Sequence, residues 1–346
     1  MIRIFITTFV SYIKIIFMPY LILKHYIGRA WLRHKLKNFP KETFQQNKYM
    51  QLRIEGTNKC NSNCVFCAHQ FDKSEAKILD FELYKSAIDQ FVSAGGKKLS
   101  FTPIVGELLL DKLFLERMRY AKKYPEIVQI ESFTNGLLLT RKVFEDLVDA
   151  GLTNLFISVS GFEKAQYEEI FRNHFYDKLI NNLSDIALSD RFSKCVTTIV
   201  IYTNSLFPTF NRQYKKFKRL GYNFLTNNFI DNWNGKIKNR MLPGFMYIAP
   251  KLKNHSSPCL QLFAGITIRA DGTLTQCGCR DVDHDSVMTF GNIKDTSLYE
   301  LINNGTWQKL YDGFCNGNVP NICKKCTIPI FWGSNISSSG GRVTSV

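Results

Sequence analysis

At 346 residues with 45% hydrophobic content, the chain is long enough for one large domain and a smaller one, and this composition excludes a wholly disordered protein. Ten cysteines in that length exclude a disulfide-dense secreted scaffold, and their grouping into short clusters reads as metal chemistry in a reducing, cytoplasmic compartment. The formal charge of +16 would suit nucleic acid or an anionic surface, but residues 1–48 carry nine Lys/Arg against one acid, Glu42.

The charge outside that arm is modest and no nucleic-acid module is evident, so no nucleic-acid partner is expected. Within the arm, Ile2 to Leu23 is nearly all apolar, broken by Arg3, Lys14 and Pro19, and basic residues follow. A helix of that length approaches a bilayer core of about 30 Å, but a lysine at its centre opposes a span at about 2.5–3.5 kcal/mol. Two readings remain: a monotopic anchor whose basic flank grips anionic lipid on the inner face of the membrane, or a helix docked on the protein body. Either keeps the body cytoplasmic.

Directly after the strand-like run Met50 to Ile54 comes EGTNKCNSNCVFCAH, which sets Cys60, Cys64 and Cys67 in the spacing C-x3-C-x2-C. Three thiolates so close bind a metal or a cluster. A structural zinc site asks for four ligands, commonly from two C-x2-C knuckles, whereas three cysteines can hold three irons of a [4Fe-4S] cluster and leave the fourth iron open.

Strand-like runs at 50–55, 98–102, 127–133, 154–159, 195–201 and 223–228 then alternate with helix-like periods near 80–94, 111–124, 140–150, 163–188 and 208–220. That alternation predicts a parallel sheet with helical crossovers, whose chemistry gathers at the carboxyl ends of the strands. Pro103 to Glu107 follows the second strand, where Gly106 permits close backbone approach and Glu107 offers a carboxylate to an ammonium. Thr134-Asn135-Gly136 follows the third and Ser158-Val159-Ser160-Gly161 ends the fourth. Cys195 reads as a small core residue, and 227–254, with little periodicity, as a linker and covering region.

From Cys259 the composition shifts, with six of the ten cysteines in the remaining stretch. Cys259, Gly272 and Cys277 form C-x12-G-x4-C around a hairpin expected to turn at Asp271-Gly272, a single helix is expected over 297–310, and Cys323 and Cys326 add C-x2-C. A zinc ribbon is the alternative use of these four cysteines. The Ser/Gly-rich tail from Ser334 to Val346 is expected to be disordered.

The first loop, with Phe66 before its last cysteine, resembles the signature of the radical S-adenosylmethionine (SAM) superfamily. The later pattern resembles the SPASM/twitch extension found in some of its members. The resemblance covers about residues 48–332. It implies a partial (β/α)6 barrel over 49–230, a linker over 231–258, a small cysteine-rich α+β domain over 259–332 and a tail over 333–346, after the arm at 1–48. Implied cofactors are a [4Fe-4S] cluster on Cys60, Cys64 and Cys67 that binds SAM at its open iron, and one auxiliary [4Fe-4S] cluster on Cys259, Cys277, Cys323 and Cys326. One auxiliary cluster is expected, because no cysteine follows Cys326. Phe66, Gly106, Glu107, Ser158 and Arg172 are the implied SAM-binding positions. Val105 departs from the family's Gly-Gly-Glu, and Ser160 stands where the subgroup usually has Asp.

The implied activity is reductive cleavage of SAM to a 5'-deoxyadenosyl radical that removes a hydrogen from the substrate. A two-electron oxidation of a small molecule, such as a sugar or glycan precursor, is the favoured outcome, with flavodoxin or ferredoxin as electron donor. Epimerisation, with Cys279 or Cys315 returning a hydrogen, and modification of a ribosomal peptide are the catalytic alternatives. An iron-sulfur carrier or zinc-binding module is the non-catalytic one.

Overall fold

A computed structural model describes residues 51–327, apart from 73, 103, 206–207, 250–261, 263–264, 278–280 and 283–285. Six strands form the barrel: β1 (Gln51–Ile54), β2 (Lys98–Phe101), β3 (Gln129–Thr134), β4 (Asn154–Val159), β5 (Val196–Tyr202) and β6 (Asn223–Asn227). All five neighbouring pairs are parallel, β1 with β2 through to β5 with β6. Between them run α1 (Phe81–Ser93), α2 (Phe114–Ala121), α3 (Arg141–Asp149), α4 (Lys164–Phe171), α5 (Tyr176–Ile186) and α6 (Arg212–Arg219). Asp80 and Thr140 accept backbone N–H bonds as the N-caps of α1 and α3, which is why those helices start where they do.

Alternate strand residues do two jobs. Leu52, Ile54, Leu99, Phe101, Ile130, Leu155, Ile157, Val159, Ile199 and Ile201 are buried in one apolar cluster with helix residues such as Ile88, Phe91, Met118, Phe144, Leu147 and Ile170. Strand register then puts the intervening residues, among them Arg53, Ser100, Glu131, Phe133, Phe156, Ser158 and Tyr202, on the opposite, concave face. Burying ten such aliphatic and aromatic strand residues, at about 1.5–3 kcal/mol each, is the main force that closes the helical layer on the sheet.

Beyond β6 lie two short parallel strands, β7 (Phe229–Ile230) and β8 (Tyr247–Ile248), in the segment expected as a linker. The hairpin appears as expected, with β9 (Ile266–Ile268) and β10 (Thr273–Thr275) on either side of Asp271-Gly272. Its place was not foreseen: β9 pairs in parallel with β1, and β11 (Thr289–Asn292) pairs with β10, so one nine-stranded sheet runs β11-β10-β9-β1-β2-β3-β4-β5-β6.

Two expected helices are each broken. The period over 163–188 divides at Arg172, whose φ of 52° is left-handed and ends α4. The helix expected over 297–310 becomes α7 (Leu298–Asn303) and α8 (Thr306–Cys315), divided at Gly305, which takes φ 82° without a Cβ penalty. The short α9 (Asn321–Lys325) completes the C-terminal part. Among the described residues no helix is long and apolar enough to cross a membrane. The arm expected at 1–48 and the tail at 333–346 lie outside the described residues.

Candidate active site

The cysteine loop leaves β1 at the carboxyl edge of the sheet and is tied down on several sides. Cys67 N–H donates to the Cys64 carbonyl (3.1 Å), and Val65 N–H donates to the Ile170 carbonyl of α4 (2.9 Å). Gln70 Nε2 donates to the Cys67 and Val65 carbonyls at 2.9 and 3.2 Å, and Gln70 Oε1 in turn accepts from Arg172 Nη1 at 3.1 Å. The left-handed turn at Arg172 therefore aims its guanidinium back at the loop. Asn135 Nδ2 reaches Asn61 Oδ1 (2.6 Å), and Asn173 Nδ2 reaches Ser62 Oγ (3.2 Å).

These contacts give the thiols a particular environment. Burial pushes the Cys60 thiol up to about 12, with the charges of Glu107 and Cys67 adding to it. Cys64 is held well above the ordinary thiol range by burial and then by repulsion from Cys67 and Cys60, while Arg172 pulls the other way. Three thiols that repel one another as anions ionise together when metal charge compensates them. Sulfur also receives backbone donors, including His69 N–H to Cys67 Sγ at 3.4 Å, the contacts that tune thiolate ligands of a cluster. No three His, Cys, Asp or Glu side chains among the described residues gather as a single-ion site. Three thiols on one loop that raise one another's pKa until metal charge compensates them are the donor set a cubane cluster takes, one iron to each thiolate.

Around the loop, Glu107 is 2% exposed and its carboxylate is engaged: Oε1 accepts from Thr134 Oγ1 (2.6 Å) and Leu109 N–H (3.3 Å), and Oε2 from Asn135 N–H (2.7 Å). Burial nonetheless raises its pKa above the ordinary carboxylate value. Its own N–H donates to the Lys59 carbonyl at 2.6 Å, so Gly106-Glu107 lies directly against the cysteine loop. Phe66 stacks on Tyr202, with centroids 4.3 Å apart, and meets Phe171 edge-on at 5.7 Å. Ser158 sits half-buried on the concave face near the end of β4, and Ser160 Oγ beyond it is buried with no hydrogen-bond partner. That orphaned hydroxyl and the Arg172 guanidinium are the kind of groups that a polar, zwitterionic ligand such as SAM would engage.

The segment expected as a linker reaches the loop too. Trp233 Nε1 donates to the Phe66 carbonyl at 2.8 Å from a backbone held at φ 46°. Its neighbours bind the far cysteine motif: Asp231 Oδ1 accepts from Thr327 Oγ1 (3.0 Å), and Asn232 Nδ2 donates to the Lys325 carbonyl (2.7 Å). Nothing in the low-periodicity sequence announced that bridge, although a lone Trp beside Asn-Gly was a visible signal.

Of the auxiliary set, Cys277, Cys323 and Cys326 are half-buried, Cys277 just past β10 and the other two at α9. Cys259 lies outside the described residues, as do Cys279, Arg280 and Asp283. Cys315 is exposed at the end of α8, hydrogen-bonded to Tyr311. Cys195 is buried, as a small core residue should be. No motif in the sequence singles out Arg53 or Arg269; both are buried, and strand register puts Arg53 on the concave face. Arg269 lines a cavity of about 60 Å³ with Glu55, Lys77, Val105 and Asp271.

Comparison with known proteins agrees with this geometry. A family model described as the radical SAM superfamily matches residues 54–205, and one described as an iron-sulfur cluster-binding domain, SPASM, matches 259–327. Among curated relatives, a GTP 3',8-cyclase of Chlorobaculum tepidum is 27% identical over 161 residues, covering 46% of this chain and 48% of the relative. Molybdenum cofactor biosynthesis protein 1 of Drosophila melanogaster is 31% identical over 155 residues, 44% of this chain and 27% of that one. The chain thus spans about half the length, or less, of these relatives. BtrN in complex with AdoMet and 2-DOIA shares the fold, with a TM-score of 0.56 at 18% identity, over 80% of this chain and 92% of that one. So does anSMEcpe with bound AdoMet, at 0.54 and 16% over 80% and 88%.

Proposed function

The chain belongs to the radical SAM superfamily and carries its SPASM extension, and from that membership we propose that it catalyses a two-electron oxidation of a small molecule such as a sugar or glycan precursor. When bound, the reduced cluster and SAM supply a 5'-deoxyadenosyl radical able to remove hydrogen from an unactivated C–H bond. Cys60, Cys64 and Cys67 would hold that cluster, and Cys259, Cys277, Cys323 and Cys326 would hold the auxiliary one.

The protein's own part is to bind and position. Arg172, already held by Gln70, offers a cation for the SAM carboxylate. Gly106 stands in the β2 loop that meets the cysteine loop through the Glu107 N–H and the Lys59 carbonyl, and Glu107, through Thr134 and Asn135, locks the ends of β2 and β3 in one geometry. Ser158 offers a hydroxyl from the concave face. Phe66 and Tyr202 wall the mouth with stacked rings that exclude water. The substrate is held on the concave face beneath that mouth, where fixing the C–H bond close to the radical carries much of the rate advantage.

The observation that favours oxidation is the seam of the sheet. β9 lies on β1, so the strand that feeds the first cysteine loop and the hairpin that ends at Cys277 are adjacent. An electron acceptor held by Cys277 would share a wall with the substrate. To test this, anaerobically reconstituted protein is incubated with SAM, dithionite and a panel of sugars and sugar nucleotides. A product lighter by two hydrogens supports oxidation. A product of unchanged mass in ordinary water that gains one deuterium when the reaction is run in deuterium oxide would replace it with epimerisation.

A further inference from the structure

Three arginines among the described residues are at least nine-tenths buried: Arg53, Arg117 and Arg269. Two have a carboxylate. Arg117 Nε is 2.8 Å from Asp111 Oδ2, and Arg269 Nη2 is 3.5 Å from Asp281 Oδ2. Arg53, 6% exposed, forms no ion pair within the described residues, and its Nη1 is buried without a hydrogen-bond partner. A guanidinium cannot shed its charge, so leaving it buried and unpaired is costly unless a ligand anion completes the site.

Its surroundings point the same way. Register places Thr267 of β9 beside Arg53 on one side and Ser100 of β2 on the other, with Glu131 one strand further. Thr267 is 1% exposed and its Oγ1 is also buried without a partner. Two orphaned polar groups on adjacent strands therefore share the concave face at the seam between the barrel and the C-terminal hairpin. Two residues nearer the mouth, the Glu55 carboxylate is occupied by the N–H groups of Ile104 (2.9 Å) and Ala270 (3.2 Å). It is thus committed elsewhere.

Resting on the reading of the concave face as the substrate chamber, we propose that Arg53 and Thr267 form an oxyanion subsite that binds a phosphate or carboxylate group of the substrate. The guanidinium supplies charge and a two-pronged donor, and the threonine hydroxyl a third donor from the other domain. The site thus spans the seam, so a bound anion would also hold the hairpin to the barrel.

The test is thermal unfolding of the cluster-loaded, full-length protein under anaerobic conditions. Inorganic phosphate and acetate are titrated separately against chloride at matched ionic strength. A saturable rise in Tm of about 2 °C or more is expected with at least one anion, and the more effective anion names the group. Arg53→Gln should weaken that anion at least roughly tenfold, and Thr267→Val should weaken it less. Arg53→Gln should also melt higher than wild type in chloride, because it removes an unpaired buried charge. No anion-dependent rise in wild type, an equal rise in Arg53→Gln, or loss of the rise when SAM is saturating would each overturn the proposal, the last assigning Arg53 to SAM instead. Should Arg53→Gln not fold, Thr267→Val carries the comparison, and an undiminished rise there counts against the subsite. The melt involves no turnover, so a wild-type protein that failed to cleave SAM would defeat the enzymatic reading while leaving this result to stand separately.

Discussion

Gly265 precedes β9 where the C-terminal hairpin meets the barrel, and replacing it with alanine tests whether that seam is as close as it looks. A Cβ there would lie 1.9 Å from the Gln51 carbonyl oxygen, and 2.8 and 2.9 Å from the Gln51 backbone carbon and nitrogen. Backbone cannot swing aside as a side-chain tip can. Alanine at φ +133° adds strain on the order of 1–3 kcal/mol, and moving β9 off β1 breaks two or three ladder hydrogen bonds at about 1 kcal/mol each. The sum, about 3–6 kcal/mol, is a large share of the roughly 5–15 kcal/mol that holds a typical domain together. Gly95→Ala is the control, because its φ is +85° yet its Cβ would meet nothing within 4 Å; it should cost only about 1–2 kcal/mol. Anaerobic urea unfolding, with iron counted per chain, reads both. Gly265→Ala should unfold at clearly lower urea and lose up to about four of about eight irons, while Gly95→Ala keeps them. Equal behaviour of the two variants would refute the close seam.

Replacing Cys323 and Cys326 together should remove about four irons and leave SAM cleavage detectable, whereas replacing Cys60, Cys64 and Cys67 should remove the other four and all cleavage; iron analysis with product chromatography distinguishes them. Trp233→Phe deletes the bond to the Phe66 carbonyl and should cost about 1 kcal/mol of stability by denaturation, with a change in the electron spin resonance of the first cluster; an unaltered spectrum would show that the indole does not position the loop. Burial raises the Glu107 pKa above its ordinary 4.5, so the folded protein holds that proton more tightly than the unfolded chain. The stability gained from this is complete below 4.5 and is lost as pH rises through the folded value. The unfolding free energy of Glu107→Gln should therefore fall less steeply than that of wild type over that rise, and parallel pH profiles would contradict the burial argument.

Much of the barrel was legible because its strands are short buried runs bounded by turn chemistry, and each of the six expected strands lies within about two residues of β1 to β6. The cysteine spacings were equally plain, since ligand geometry fixes local spacing. What stayed hidden was non-local. The pairing of Leu52 with Ile266 joins residues more than two hundred positions apart, and no window of sequence encodes it. Arg172 ended a helix in a left-handed conformation that arginine rarely takes, so its identity gave no warning, whereas Gly305 could have been read as a break. Arg53 did leave a trace: a charged residue inside the buried run Gln51–Ile54 is out of place unless the other face of the strand is used. Trp233 and Asp231 show a covering segment that also braces both cysteine motifs, a role that depends on partners scattered across the chain.

The proposed catalytic cluster at the mouth of the barrel rests on Cys60, Cys64 and Cys67. Protein reconstituted with iron and sulfide, fully loaded and reduced with dithionite, should convert SAM to 5'-deoxyadenosine and methionine, and the triple cysteine variant should not. Full loading of the wild-type protein without any 5'-deoxyadenosine would contradict the account and leave an iron-sulfur carrier in its place.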